Sequence, residues 1–281
     1  MSFWKRSYTP PTGADRLAGH GDYAATRARF YRTAHSNLRF LIRERYAWMN
    51  PYLGGHDLVV ELGAGPGLSR EYLDAPGLQL TDVLDNDWLD RRVDAMDLPY
   101  PPESLDAVIC SHMLHHVPVP IALLQSIEKA LKPGGRILIN ESTASLIHRF
   151  VMWAMRHEGW SEDVDVFDAS ARTKDGFDPL AGNNAVGDLL FNDRQRFAAA
   201  FPSLSITRHE FTEVFVFLLS GGVGGEVFTV ELPDRALSMV RRLDQLLVKI
   251  LPRIFAFARR VVIVKSGARS SPAGLQVHQS A

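Results

Sequence analysis

Short apolar runs separated by stretches of helical period set the rhythm of this chain. Leu58, Val59, Val60 and Leu62 form the first run, closed by glycines, and such a run reads as a buried strand of a parallel sheet. Leu78, Leu80 and Asp82 mark a second strand, Val93 and its neighbours a third, and residues 104–110 a fourth. Ile137-Leu138-Ile139 predicts a fifth, residues 204–211 a sixth, and Val261-Val262-Ile263-Val264 a last one. Between them apolar positions recur at helical spacing. Phe30, Ala34, Leu38, Leu41, Ile42 and Tyr46 predict one long helix or two across residues 23–49. Further helices are predicted at 121–131, 143–156, 194–201 and from Pro233 to about Leu251. Lys132-Pro133-Gly134-Gly135-Arg136 reads as a helix-to-strand turn, and Gly182-Asn183-Asn184 as another turn. Only residues 84–90 are available to join the second strand to the third, so that crossover is predicted to be about one turn.

The first strand runs into Glu61-Leu62-Gly63-Ala64-Gly65-Pro66-Gly67, and Ser69, Arg70, Glu71, Tyr72 and Leu73 read as the start of a helix. A strand, a glycine-rich turn and a helix N-terminus make a nucleotide or nucleoside site. Glycines let the chain turn sharply and let a ligand lie against bare backbone. The spacing is not that of a dinucleotide fingerprint, because Leu68 stands where its last glycine would fall. Pro66 has no N–H to offer a pyrophosphate, and no Gly-Lys-Ser/Thr follows.

Here the chain resembles the first motif of class I S-adenosylmethionine-dependent methyltransferases, an acidic residue followed by x-G-x-G-x-G, filled by Glu61, Gly63, Gly65 and Gly67. That loop lies under the methionine part of a cofactor without phosphates, so the resemblance tolerates Pro66. Asp82 lies 21 residues after Glu61, where a nucleotide-binding sheet puts a carboxylate on the ribose hydroxyls. An ionised carboxylate accepts from both. Asp85 and Asp87 compete for this role in the following turn. Residues 93–100 resemble the family's third motif, which assigns the adenine to Asp94 and the Ala95 backbone; Trp88 either covers the adenine or packs as a surface wedge. Ser111 closes the fourth strand at the carboxyl edge, where open α/β sheets bind ligands, and is placed at the cofactor. "ALKPGGRILI" at 130–139 adds a specific family signature, and the resemblance spans residues 55–142. Within the class it is nearest the small-molecule group containing ubiquinone and menaquinone biosynthesis methyltransferases. It implies a Rossmann-like α/β fold, a seven-stranded sheet mostly parallel with an antiparallel last strand and helices on both faces. It also implies S-adenosylmethionine as cofactor and methyl transfer to a small-molecule or lipid- or glycan-linked acceptor.

Composition narrows this picture. A net charge of −1 exerts no pull on nucleic acid or anionic membrane, and Ser111-His112-Met113-Leu114 stands where base methyltransferases carry Asn/Asp-Pro-Pro-Tyr. The single cysteine, Cys110, lies in an apolar run, which excludes an internal disulfide and predicts a reducing compartment and an inert thiol. The first residues lack the apolar core of a signal peptide, and residues 211–232 are too interrupted for a membrane span. A cytoplasmic protein is expected. Two other classes remain open: a non-catalytic cofactor-binding or scaffold member of the fold, and a nicotinamide-dependent oxidoreductase, which Leu68 and Pro66 disfavour.

The second half is less legible. Residues 1–50 are read as an N-terminal helical cap, 51–265 as the methyltransferase domain, and 266–281 as a disordered tail. Insertions at about 143–190 and 214–256 would shape the acceptor pocket, since loops at the carboxyl edge carry function. Residues 1–20 are expected to be loose. Arg27, Arg29, Arg32, Arg39, Arg43 and Arg45 predict a solvated basic face on the cap. Arg235, Arg241, Arg242, Lys249, Arg253, Arg259 and Arg260 predict another near the C-terminus; the alternative for the first face is a cap that handles an acidic or lipid-phosphate substrate, and for the second a peripheral membrane contact or a lipid-linked substrate. His115, His116, His157 and Glu158 are candidates for taking the acceptor's proton. No ligand set at recognisable spacing accompanies the histidines, so no metal is expected. His157 and Glu158, as neighbours on a helix, would not share a face.

Overall fold

The computed structural model describes residues 4–11, 15, 21–32, 36–55, 58–174, 178, 180–224 and 227–267. Its frame is a seven-stranded sheet built from β2 (Val59–Leu62), β3 (Leu78–Asp82), β4 (Arg91–Arg92), β5 (Leu105–Ser111), β6 (Leu131–Ser142), β8 (Leu204–Thr212) and β9 (Ala258–Lys265). The spatial order is β4-β3-β2-β5-β6-β9-β8. β2 pairs in parallel with β3 and β5, and β9 runs antiparallel to both β6 and β8. This is the mostly parallel, Rossmann-like sheet that the apolar runs predict. Alternate residues of each strand feed opposite cores. Val60, Leu62, Val108, Cys110, Ile137 and Ile139 join one cluster, whereas Val59, Ala107, Ile109 and Leu138 join the other. Side chains on a strand alternate faces, so two-sided burial is why the strands read as unbroken apolar runs.

The helices flank this sheet. α1 (Tyr23–Arg32) and α2 (Asn37–Tyr46) precede β2, α3 (Pro120–Ala130) joins β5 to β6, and α4 (Leu146–Met155), α5 (Val186–Phe191) and α6 (Arg194–Ala200) lie between β6 and β8. Ser36, Ser145 and Asp193 cap α2, α4 and α6 by accepting a backbone N–H from the first turn. α7 (Phe215–Ser220), α8 (Asp234–Ile250) and α9 (Pro252–Phe255) fill the connection from β8 to β9. The Asp244 carboxylate on α8 accepts the N–H groups of Val214, Phe215 and Val216 and so ties α7 to α8.

Several expectations need correction. The stretch after the glycine turn makes one 3-10 turn, Leu68–Glu71, before the chain heads for β3, instead of entering a full helix. The described part of residues 1–20 is not all loose: β1 (Ser7–Tyr8) pairs with β7 (Trp160–Ser161). The basic face of α1 and α2 is tied into the protein. Arg27 donates to the Pro66 carbonyl, Arg29 to those of Gly222 and Val223, and Arg39 to that of Phe30, while Arg43 pairs with Asp234. Arg45 is buried, in a two-pronged bond to the buried Glu213 at 2.9 and 2.7 Å. Arg259 and Arg260 lie on β9. Arg259 is fully buried against Thr143, Asn192 and Asp188, and Arg260 donates to the Glu44 carbonyl. Of the expected tail, residues 268–281 lie outside the described residues.

Candidate active site

The glycine loop sits at the carboxyl end of β2, held there by its own backbone. Gly63, Gly65 and Gly67 have φ of 68°, 50° and 66°, a region costly for residues with a side chain. Packing adds a second constraint at two of them. A Cβ on Gly63 would stand 2.8 Å from Met113 Cβ, and one on Gly67 would stand 2.8 Å from Trp88 Cδ1. Around the loop, Ala64 N donates to the Thr81 carbonyl, and Trp88 Nε1 donates to the Gly65 carbonyl at 2.9 Å. Trp88 thus packs on the loop itself, with the Arg27 guanidinium over its ring. The Tyr23 ring lies over Gly65, and burial together with the Asp82 and Glu158 charges pushes its hydroxyl pKa up to about 12.

Two carboxylates brace this wall. Glu61 is fully buried and accepts from Tyr46 Oη at 2.8 Å and from Ser69 Oγ. Burial raises its pKa to about 7, with Asp82 adding to the rise and the two hydroxyls opposing it. Asp82 accepts from Gly65 N at 2.9 Å and Leu84 N at 3.0 Å, one bond to each oxygen. Each oxygen keeps a further lone pair. Asp85, Asp87 and Asp94 are exposed and Ala95 half-buried; Asp94 accepts from Met96 N.

A cavity of about 310 Å³ opens from the loop. Gly63, Gly65 and Ser111 line it, as do His115, His116, His157 and Glu158. Glu61, Gly67, Asp82, Asp94 and Ala95 do not. Val151, Met152, Phe217, Leu218, Val223 and Val227 add an apolar side, and Arg45, Tyr46 and Glu213 add a polar one.

The same cavity has a wall of imidazoles and carboxylates assembled from distant segments. His115, after β5, presents Nδ1 to Glu141 near the end of β6. Burial opposes charge on this ring, but the Glu141 and Glu158 carboxylates outweigh it and raise its pKa, while His115 in turn lowers that of Glu141 against the effect of burial. His116 Nδ1 donates to the Ala181 carbonyl at 3.1 Å, and burial beside His115 takes its pKa down to about 4. Glu158 lies between the rings: 3.6 Å from His115 Nε2, 3.6 Å from His116 Nε2 and 3.7 Å from His157 Nε2. Asn184 donates to it at 3.0 Å. Gly182 closes the wall, since a Cβ there would come within 3.0 Å of His115 Cδ2 and 3.1 Å of the Glu158 carboxylate.

The reasoning that kept His157 and Glu158 apart fails at Arg156. That residue ends α4 in the left-handed region, φ 53°, so His157 and Glu158 leave the helix and meet each other. Glu158 is buried. Tyr23, Tyr46, Arg45, Glu213 and Asn184 were not singled out by the sequence. Their one signal was polar residues interrupting apolar stretches.

Comparison with known proteins fits this architecture. The family described as a methyltransferase domain matches residues 26–175. The ubiquinone biosynthesis O-methyltransferase of Idiomarina loihiensis is 33% identical over 99 residues, 29% of this chain and 41% of that protein. A segment of the highly reducing polyketide synthase pkhB of Emericella nidulans is 34% identical over 98 residues, 34% of this chain and 4% of that protein. The chain therefore spans less than half the length of these relatives. A SAM dependent methyltransferase from Archaeoglobus fulgidus superposes with a TM-score of 0.52 at 17% identity, covering 87% of this chain and 99% of that one.

Proposed function

We infer the acceptor from one premise: the chain belongs to the methyltransferase-domain family and is a class I S-adenosylmethionine-dependent methyltransferase. The residues fit that cofactor. Of the left-handed glycines, Gly63 and Gly65 line the cavity with backbone, and Asp82, held by two N–H bonds, keeps a lone pair on each oxygen for the ribose hydroxyls. Asp94 and the Ala95 backbone would serve the adenine. When bound, the cofactor supplies an electrophilic sulfonium methyl group.

We propose that the acceptor is a hydroxyl group on a small molecule with an apolar body. One observation carries this: the same cavity is lined by Gly63 and Gly65 of the loop, by the histidine–carboxylate wall and by an apolar flank. An oxygen held at that wall would face the loop, and alignment of this kind is worth up to about 7–11 kcal/mol. With the cofactor supplying the methyl group to that oxygen, the imidazole and carboxylate groups of the wall would take the hydroxyl proton. The I. loihiensis relative is named an O-methyltransferase, which agrees with oxygen as the accepting atom. The test is a panel of phenols, aliphatic alcohols and amines of graded apolar length, incubated with methyl-labelled cofactor and read by mass spectrometry. Label entering hydroxyls, increasingly with apolar length, supports the reading; label entering amines alone would sink it.

A second feature points to where such acceptors reside. Met239, Leu243, Leu246 and Ile250 form one exposed row on α8, 70%, 46%, 54% and 63% accessible. Arg235, Arg242 and Lys249, also exposed, flank it at seven-residue intervals. A basic amphipathic helix of this kind suits an anionic membrane surface. No described helix is long and apolar enough to cross one. Sedimentation with phosphatidylglycerol vesicles tests the contact, which Leu243→Asp with Leu246→Asp should abolish. Equal sedimentation of the variant would refute it.

A further inference from the structure

The histidine–carboxylate wall turns two imidazoles toward one carboxylate. His115 Nδ1 faces the Glu141 carboxylate and His116 Nδ1 faces the Ala181 carbonyl. Both partners are acceptors, so each ring donates from Nδ1, and a ring that gives up its second proton to an incoming ion turns the Nε2 lone pair toward Glu158. The two Nε2 atoms stand 3.6 Å from the Glu158 carboxylate, that of His115 from one oxygen and that of His116 from the other. That separation is beyond a hydrogen bond. It is close to the spacing of two ligands on one tetrahedral ion, about 3.4 Å for metal–ligand bonds of about 2.1 Å.

We propose that His115, His116 and Glu158 bind one divalent transition-metal ion. Their three ligand atoms lie within 4.8 Å of one another. Two imidazoles and a carboxylate match Zn²⁺, with a position left for an exogenous ligand. The surroundings match as well. Metal-binding histidines usually give their second N–H to a carboxylate or a backbone carbonyl, which fixes the tautomer and orients the ring; here Glu141 and Ala181 do this. Asn184 steadies Glu158, and Gly182 allows the main chain to close over the site. Spacing along the chain hides the set, because Glu158 is supplied 42 residues beyond His116. An ion at this point would lie in the wall of the cavity that Gly63 and Gly65 also line, where it would hold and polarise a hydroxyl oxygen. That use rests on the acceptor reading above; the binding itself does not.

The test uses the full untagged chain, stripped with a chelator and titrated with Zn²⁺ by calorimetry, with metal content measured after desalting. One ion per chain is expected, with affinity falling about 100-fold in His116→Ala and at least about 10-fold in Glu158→Gln. His209→Ala, outside the cluster, serves as control and should bind as wild type. A Co²⁺-loaded sample should show a visible absorption band that Glu158→Gln alters. Substoichiometric binding, or equal affinity in His116→Ala and wild type, overturns the proposal. Thermal melts of the metal-free variants guard against misfolding. Titration of the same metal-free samples with S-adenosylhomocysteine reports the cofactor wall, so failure there is distinguishable from failure of the metal site.

Discussion

The two walls of the cavity are built by opposite means. The glycine wall comes from one contiguous stretch, residues 61–67, braced by the ends of two neighbouring strands. Its geometry is a property of the backbone: three left-handed residues and a carboxylate that pins Gly65 N. The histidine wall draws on His115–His116, Glu141, His157–Glu158 and Asn184, which belong to separate segments, and its geometry is a property of side chains. A backbone-determined wall leaves a local pattern in the sequence. A side-chain wall leaves only residues whose meeting depends on the whole fold.

The strongest way to break this contrast is the link between the halves. Arg45 on α2 and Glu213 after β8 both line the cavity, with side chains only 6% and 4% accessible. Removing one partner of a buried pair leaves a bare charge in the interior. Arg45→Met should therefore cost roughly 3–5 kcal/mol in urea unfolding at neutral pH, and Arg45→Met with Glu213→Met much less. If the walls are independent, the single variant still binds S-adenosylhomocysteine at temperatures where it stays folded. Loss of that affinity in a folded variant would show the walls to be one unit.

Next in size is an effect internal to the glycine wall. The Glu61 carboxyl, with pKa about 7, faces Tyr46, Ser69, Asp82, Arg70 and Cys110. Its folded value is raised, so the native state binds more protons than the unfolded chain between about pH 4.5 and 7. Stability from this group is complete below that window and falls as pH rises through it, by roughly 3 kcal/mol in all. Glu61→Gln removes the slope while the other titrating groups remain common to both proteins. The stability difference between wild type and variant should therefore shift in favour of the variant from pH 5 to pH 8. Parallel curves would refute the raised value.

How much could be read beforehand follows the same division. The central strands were visible as apolar runs because both faces of the sheet are buried there, whereas β4 is the exposed pair Arg91–Arg92 and β8 is largely polar. The short crossover was visible as a shortage of residues between Asp82 and Arg91. The glycine loop was visible because its conformation excludes most side chains. Arg45 and Arg259 were misread as solvated, since charge in a sequence says nothing of a partner like Glu213 or Asp188 far along the chain. The meeting of His157 and Glu158 was missed because left-handed Arg156 ends α4 just before them, so that they are not neighbours on a helix.

The smallest expected effect gives the sharpest separation of the walls. Trp88 touches only the glycine side: its Nε1 donates to the Gly65 carbonyl at 2.9 Å, and its ring packs where a Cβ on Gly67 would stand. Trp88→Phe keeps an aromatic ring but deletes the donor. The Gly65 carbonyl is then left to water, a loss of about 1 kcal/mol for a neutral hydrogen bond, so cofactor affinity should fall about fivefold. Zn²⁺ affinity should not change, because no contact joins Trp88 to His115, His116 or Glu158 among the described residues. Calorimetric titration of one preparation with each ligand in turn decides the matter. A fall in the cofactor constant alone means that loop tension stays within the glycine wall. Equal falls in both would mean that Tyr23, lying over Gly65 within the fields of Asp82 and Glu158, carries the disturbance across the cavity.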